Sequence, residues 1–280
     1  MIRLWSLILL LVVNSSAFAK SEVKRIITAG GSITEVVYLL DAGDQVIAVD
    51  QSSTYPPEIK SMPSVGYWKQ LNAEGILSLS PTHLITWSDA EPASVLKQVE
   101  AMNVNLVSLE RLPSTPEQLF INIGRIAEVL NKTEKGQALI DRIKTRLDVV
   151  SAKLAEKQDK PKVLFLLSVA SGPAQVAGKN TIADGIVTLA GGHNLATHQN
   201  YQTYGAEAFI ASNPDIIVLT TQALESLGGI EKLGKVGGVS HTNAWKNQRI
   251  VHLDQAILLG MGPRVADAVE GLYQGFYPDN

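Results

Sequence analysis

Residues 64–75 read SVGYWKQLNAEG, and within them Tyr67, Trp68 and Lys69 directly follow a glycine, ahead of a helix start. A connection that only had to turn would use small polar residues. Two bulky amphipathic aromatics and a cation at such a strand-to-helix junction are suited to touching a ligand. Two acids stand out by placement. Glu91 lies ten residues after Pro81 and Glu225 eleven after Pro214, each after a strand pattern, in the loop expected at its C-terminal end. A matched pair of anionic side chains on one face suits docking on basic pockets of a two-fold symmetric partner. Two solvated loop acids are the plainer alternative.

Other chemistries find less support. AGGSITE (29–35) has neither the G-x-x-x-x-G-K-[ST] nor the G-x-G-x-x-G spacing, so nucleotide binding is poorly supported. It reads as a glycine turn before a capped helix whose free N–H groups could receive a carboxylate. The histidines, His83, His193, His198, His241 and His252, form no H-x-x-x-H pair. His83 and His252 sit in strand patterns, and His193 and His198 in an expected loop. No G-x-S-x-G elbow is present. An enzyme is the weaker class, and a secreted metal-dependent hydrolase using His193, His198 or His241 is its best form.

The elements that must hold these residues are legible in outline. The chain has 280 residues, 45% of them hydrophobic, and a net charge of −3. That charge argues against a nucleic-acid partner, which needs a basic face. Residues 1–19 carry Arg3, an apolar run LWSLILLLVV and AFA ending at Ala19, the pattern of a cleavable secretory leader. With no cysteine there is no lipid-anchor site, disulfide or thiolate metal site. The periplasm is the expected location.

From residue 25 to 109 short apolar runs alternate with helical patterns: strands at 25–30, 45–50, 82–87 and 104–109, helices at 32–43, 73–80 and 94–103. Ser32 and Glu35 are spaced as a capping box for the first helix. This alternation predicts an α/β fold with a mostly parallel sheet. Residues 116–130 and 132–157 read as helices, the second with an apolar stripe of Ala138, Ile143, Leu147, Val150 and Leu154. The βα pattern then resumes. AEGILSLSPTHLI (73–85) and AEAFIASNPDIIV (206–218) match at a constant offset of 133, with Ala73/Ala206, Glu74/Glu207 and Pro81/Pro214 coinciding. The simplest architecture is two Rossmann-like βα lobes, 20–131 and 159–280, joined by one long helix at 132–158. A ligand cleft is expected between them.

The leader, the two lobes and the segments GGSITEVVYLLDAG, PSVGYWKQLNAEGILSLSPTHLI, LESLGGIEKL and LLGMGPR resemble the periplasmic haem-binding proteins of bacterial haem-uptake ABC transporters. These belong to a helix-linked class that also serves siderophores and cobalamin. The resemblance implies that Tyr67 is the axial ligand to ferric haem iron, with Lys69 as the basic residue two positions on. Phenolate is a hard anionic donor that favours Fe(III). A neighbouring cation favours the charged phenol, and Lys69 could instead pair with a haem propionate. Trp68 offers a flat face to a ligand or packs into the lobe. Arg264 matches a recurrent residue with a structural or propionate role. Glu91 and Glu225 match the glutamates that engage arginines of the permease dimer. Where some members of the family carry a histidine on the opposing lobe, this chain reads LLSVASGPAQ, so ligation by Tyr67 alone is expected.

The resulting expectation is a monomeric periplasmic carrier, not an enzyme. It takes ferric haem from an outer-membrane receptor system and delivers it to an inner-membrane ABC permease. A ferric-siderophore or cobalamin carrier is the alternative within the class.

Overall fold

The computed structural model describes residues 24–168 and 173–278; the leader expected over 1–19 lies outside them. The first lobe is a four-stranded sheet of β1 (Ile26–Ala29), β2 (Val46–Val49), β3 (His83–Trp87) and β4 (Asn105–Leu109). All its pairings are parallel, in the order β2-β1-β3-β4. β1 reads IITA and is buried at every position, because a parallel strand with helices on both faces has no solvent side to make polar. Helices α1 (Gly31–Leu39), α2 (Ala73–Ser78) and α3 (Ala93–Ala101) cover it.

Two helices lead out of this lobe, α4 (Pro116–Val129) and α5 (Thr133–Ala155). Thr115 caps α4, its hydroxyl accepting from the Gln118 N–H at 3.3 Å, and Pro116 fills the first helical position, where no N–H is needed. The 23 residues of α5 span about 34 Å. Its buried positions are Gly136, Leu139, Ile143 and Val150. Leu139 therefore takes the place expected for Ala138, which is exposed, and restores a helical step of four to Ile143.

The second lobe contains β5 (Lys162–Ser168), β6 (Ala174–Ala177), α6 (Ile182–Leu189), β7 (His193–Asn194), β8 (Tyr201–Tyr204), α7 (Ala206–Ser212) and β9 (Ile216–Thr220). After them come α8 (Thr221–Leu227), α9 (Ile230–Leu233), α10 (Asn243–Lys246), β10 (Ile250–Leu253), α11 (Gln255–Leu259) and α12 (Val265–Phe276). Its sheet runs β10-β9-β5-β6-β8, with β7 also beside β5. β10, β9, β5 and β7 are parallel, whereas β6 and β8 are antiparallel additions. Each addition has four residues, AQVA and YQTY, without the unbroken apolar run that marks β5 and β9 in the sequence.

The two lobes share a core. One apolar cluster runs from β1 and β3 through α4 and α5 to α6, α12 and one face of β5 and β9. Val163 and Phe165 belong to it, while Leu164 and Leu166 point to a second cluster with Phe209 on the opposite face. That split is the alternation of a strand. A continuous core and the ion pairs of Arg146 on α5 with Asp267 and Glu270 on α12 favour small relative motions of the lobes over wide closure.

The start of α1 departs from the expected capping box. The helix begins at Gly31 with no side-chain cap. The Gly30 N–H instead donates to Asp50 Oδ1 at 3.0 Å and the Gly31 N–H to Ser52 Oγ at 2.9 Å. These two N–H groups are therefore not free to receive an external carboxylate. Gly30 has φ +145°, and a Cβ would fall 2.6 Å from Trp87 Nε1, so glycine is required by both backbone and space.

Candidate functional site

The segment 66–71 is irregular but tightly held. Gly66 turns the chain at φ +88°, a conformation that suits glycine. The Gln51 N–H donates to the Gly66 carbonyl at 2.8 Å and the Glu91 N–H to the Trp68 carbonyl at 2.9 Å. The Leu71 N–H in turn donates to the Glu91 carbonyl at 2.8 Å. Residue 91 thus zips the loop to the exit of β3. Asn72 ends the loop by capping α2, accepting from the Gly75 N–H at 3.0 Å.

Held this way, three consecutive side chains take three directions. Trp68 is buried at 8% exposure, with Lys69 Nζ 4.7 Å and Arg111 Cζ 5.3 Å from its ring centroid. It packs into the lobe, and the alternative of a ligand-facing indole is set aside. Tyr67 is 37% exposed, its ring 5.5 Å from that of Trp68 at 57°. Tyr38, Tyr204 and Tyr277 each use their hydroxyl in a hydrogen bond. Among the described residues the Tyr67 hydroxyl makes none, nor do those of Tyr55, Tyr201 and Tyr273, so what sets Tyr67 apart is the pinned loop and aromatic shelf behind it. A partly exposed phenol with an unoccupied oxygen, backed by a fixed aromatic shelf, can bind a metal centre presented from outside.

Lys69 sits in a charged network. Its Nζ is 2.7 Å from Glu91 Oε1, 2.7 Å from the Asp89 carbonyl and 3.5 Å from Asp89 Oδ2. Arg111 holds the same Asp89 carboxylate at 2.9 Å. Burial alone would push the Asp89 carboxyl up, but Arg111 and Lys69 outweigh it and hold it below its usual range. These side chains are partly solvated, so each pair contributes at most about 1 kcal/mol.

Arg264 lies where the lobes meet. Its guanidinium grips Glu35 of α1 through two bonds of 2.8 and 2.6 Å, with its Cζ 4.2 Å from the Tyr55 ring centroid. Glu35 is 5% exposed. Burial pushes its carboxyl above the usual value against the pull of Arg264. Of the two roles open to Arg264, the geometry supports the structural one: a bidentate brace across 229 residues of chain. Glu35, predicted to help cap α1, is its partner.

The remaining predicted residues are dispersed. Glu225 is exposed, on α8 rather than in a loop; Thr220 caps that helix, its hydroxyl accepting from the Ala223 N–H at 3.0 Å. Glu91 is in a loop, as expected. Among the described residues no group of three His, Cys, Asp or Glu side chains could hold a metal ion. His198 instead meets the Val176 carbonyl and Tyr204, and His241 meets Ser240. Asp89 and Arg111 went unnoticed in the sequence because loop residues that meet through the fold leave no periodic signal. Tyr201 was also missed. It is 38% exposed on β8, and burial raises its phenol against an opposing pull from Arg111 of the first lobe. A cavity of about 450 Å³ lies within the second lobe, lined by Tyr204, Leu227, Lys232, Lys235 and neighbours, and holds none of the predicted residues.

Residues 26–257 match the family model described as "Periplasmic binding protein". The chain belongs to the periplasmic binding protein family. Binding and transport, rather than catalysis, are that family's work. The periplasmic heme-binding protein RhuT from Roseiflexus sp. RS-1, solved in apo form, is 36% identical with a TM-score of 0.86, covering 91% of this chain and 98% of its own. An uncharacterized ABC transporter substrate-binding lipoprotein, YvrC of Bacillus subtilis (strain 168), is 28% identical over 95% of this chain and 84% of its own length. A vitamin B12-binding protein of Photorhabdus laumondii is 25% identical over 89% of this chain and 86% of its own. The two-lobe family fold is common to the chain and RhuT.

Proposed function

We propose that this protein carries ferric haem through the periplasm to an inner-membrane ABC permease. The observation that carries the reading is the Tyr67 phenol: partly exposed, without a hydrogen-bond partner among the described residues, and set on a loop pinned at Gly66, Trp68 and Leu71. Tyr67 supplies the axial oxygen to the iron, and Lys69 offers its ammonium to a propionate. Arg264 acts by bracing the lobes. Affinity comes mainly from covering the porphyrin faces, with the Fe–O bond fixing orientation. The likeness to RhuT over nearly all of both chains supports haem as cargo. In this reading the leader at 1–19 exports a monomer, an outer-membrane receptor system supplies the haem, and Glu91 and Glu225 meet arginines of the permease.

The test is addition of hemin to the purified apoprotein. A Soret band with the features of high-spin ferric tyrosinate, lost in Tyr67→Ala, is the expected result. No spectral change on adding hemin would sink the proposal. The vitamin B12-binding relative, at lower identity, motivates a cobalamin carrier as the second reading. Cyanocobalamin should leave the tryptophan fluorescence unchanged, and saturable quenching in place of a hemin spectrum would favour that reading. For docking, Glu91→Ala/Glu225→Ala should keep hemin binding and lose transport.

A further inference from the structure

Lys69 and Glu91 carry different parts of the reading above, one gripping the cargo and the other meeting the permease, yet they are bonded to each other at 2.7 Å. We propose that Glu91 is also a positioning residue for the cargo: its carboxylate and a haem propionate compete for the same Lys69 ammonium. Loading then frees Glu91, and drawing Glu91 away strengthens loading. This rests on the assignment of Tyr67 and Lys69 to haem.

An ammonium has three donors, and the three neighbours of Lys69 Nζ are Glu91 Oε1, the Asp89 carbonyl and Asp89 Oδ2. A propionate reaches it as a strong acceptor by displacing one of them. The Asp89 carbonyl is backbone, and the Asp89 carboxylate is also held by Arg111 at 2.9 Å. The Glu91 side chain is 61% exposed, and Lys69 is its one ion-pair partner among the described residues, so it yields at the least cost. Its backbone stays zipped to Trp68 and Leu71, so the carboxylate can swing away while the loop keeps its shape.

Coupling of this kind is reciprocal. A permease arginine that draws Glu91 away releases Lys69 to the cargo, so the loaded protein docks better than the empty one. Glu225 makes no ion pair among the described residues, so the coupling belongs to the first lobe.

Hemin titrations of the full mature chain, followed at the Soret band, test this without the permease. Glu91→Ala should bind hemin about two- to fivefold more tightly, the range expected when an exposed ion pair is removed. The gain should vanish in a Lys69→Met background. It should also vanish for hemin dimethyl ester, whose propionates carry no charge. Unchanged affinity in Glu91→Ala, or a gain that survives without Lys69 or with the ester, overturns the competition while leaving the carrier reading intact. A wild-type protein that binds no hemin overturns both.

Discussion

The segment 66–71 of the first lobe and strand β8 of the second each lead into a helix that begins Ala-Glu, at the same offset of 133. One is an irregular loop tied to residues 51 and 91, and the other is laddered to β6 over four pairs, from Ala177↔Tyr201 to Ala174↔Tyr204. A ladder obliges consecutive side chains to alternate between two faces. The loop has no such obligation, so Tyr67 stands out, Trp68 turns in and Lys69 lies along the charged network. Equivalent places in a duplicated plan can thus be an irregular loop in one lobe and sheet edge in the other. The decisive difference is what the backbone hydrogen bonds to.

Substitutions at matched positions should expose this contrast, beginning with the strongest. Trp68→Ala removes a buried shelf and should lower stability by about 3 kcal/mol in urea unfolding, whereas Tyr201→Ala, its counterpart at the offset, should lower it by about 1 kcal/mol or less. Equal losses would mean that the shelf is no special feature of the first lobe. Next is the iron. Tyr67→Ala should weaken hemin binding about a hundredfold, as loss of a dominant contact does, while Tyr201→Phe should leave the ferric tyrosinate spectrum unchanged. A spectrum that shifts in Tyr201→Phe would make the second lobe a ligand donor and erase the asymmetry.

The brace between the lobes serves both segments alike. Glu35→Ala strips the half-buried Arg264 of its partner and should cost about 2 kcal/mol in thermal or urea melts, with the hemin spectrum intact. The smallest effect concerns acid. The Asp89 carboxyl is held below its ordinary value of 3.8. Its contribution is therefore complete above that value and lost as pH falls through the lower folded-state value. Below about pH 4 the unfolding free energy should fall slightly more for the wild type than for Asp89→Asn, by well under 1 kcal/mol because the carboxylate is partly solvated. A wild type and variant that lose stability in parallel would remove the charged network from the account of the first-lobe loop.

Much of this is legible in the sequence alone. The runs RIITAG and THLITW predict strands that the structure forms at Ile26–Ala29 and His83–Trp87, because burial on both faces leaves an unbroken apolar signature. The repeat at Ala73 and Ala206 marks two helices that start on those residues. β6 and β8 escaped because AQVA and YQTY lack the unbroken apolar run that marks a strand as short as β1. Glu35 looked like a local cap, since spacing in sequence is blind to an arginine 229 residues away. Glu225 looked like a loop acid because QALESL is short, and its helix depends on a cap at Thr220.

The sequence by itself determined the α/β alternation, the duplicated plan, the long linking helix and the singularity of Gly-Tyr-Trp-Lys in one half. These are properties of composition and spacing, which local physics turns into elements. Only the tertiary structure decided that Trp68 is a shelf, that Arg264 binds Glu35, and that Lys69 and Glu91 share a salt bridge. Each depends on which distant loops the folded sheets bring within about 3 to 5 Å, and no spacing along a chain encodes that distance.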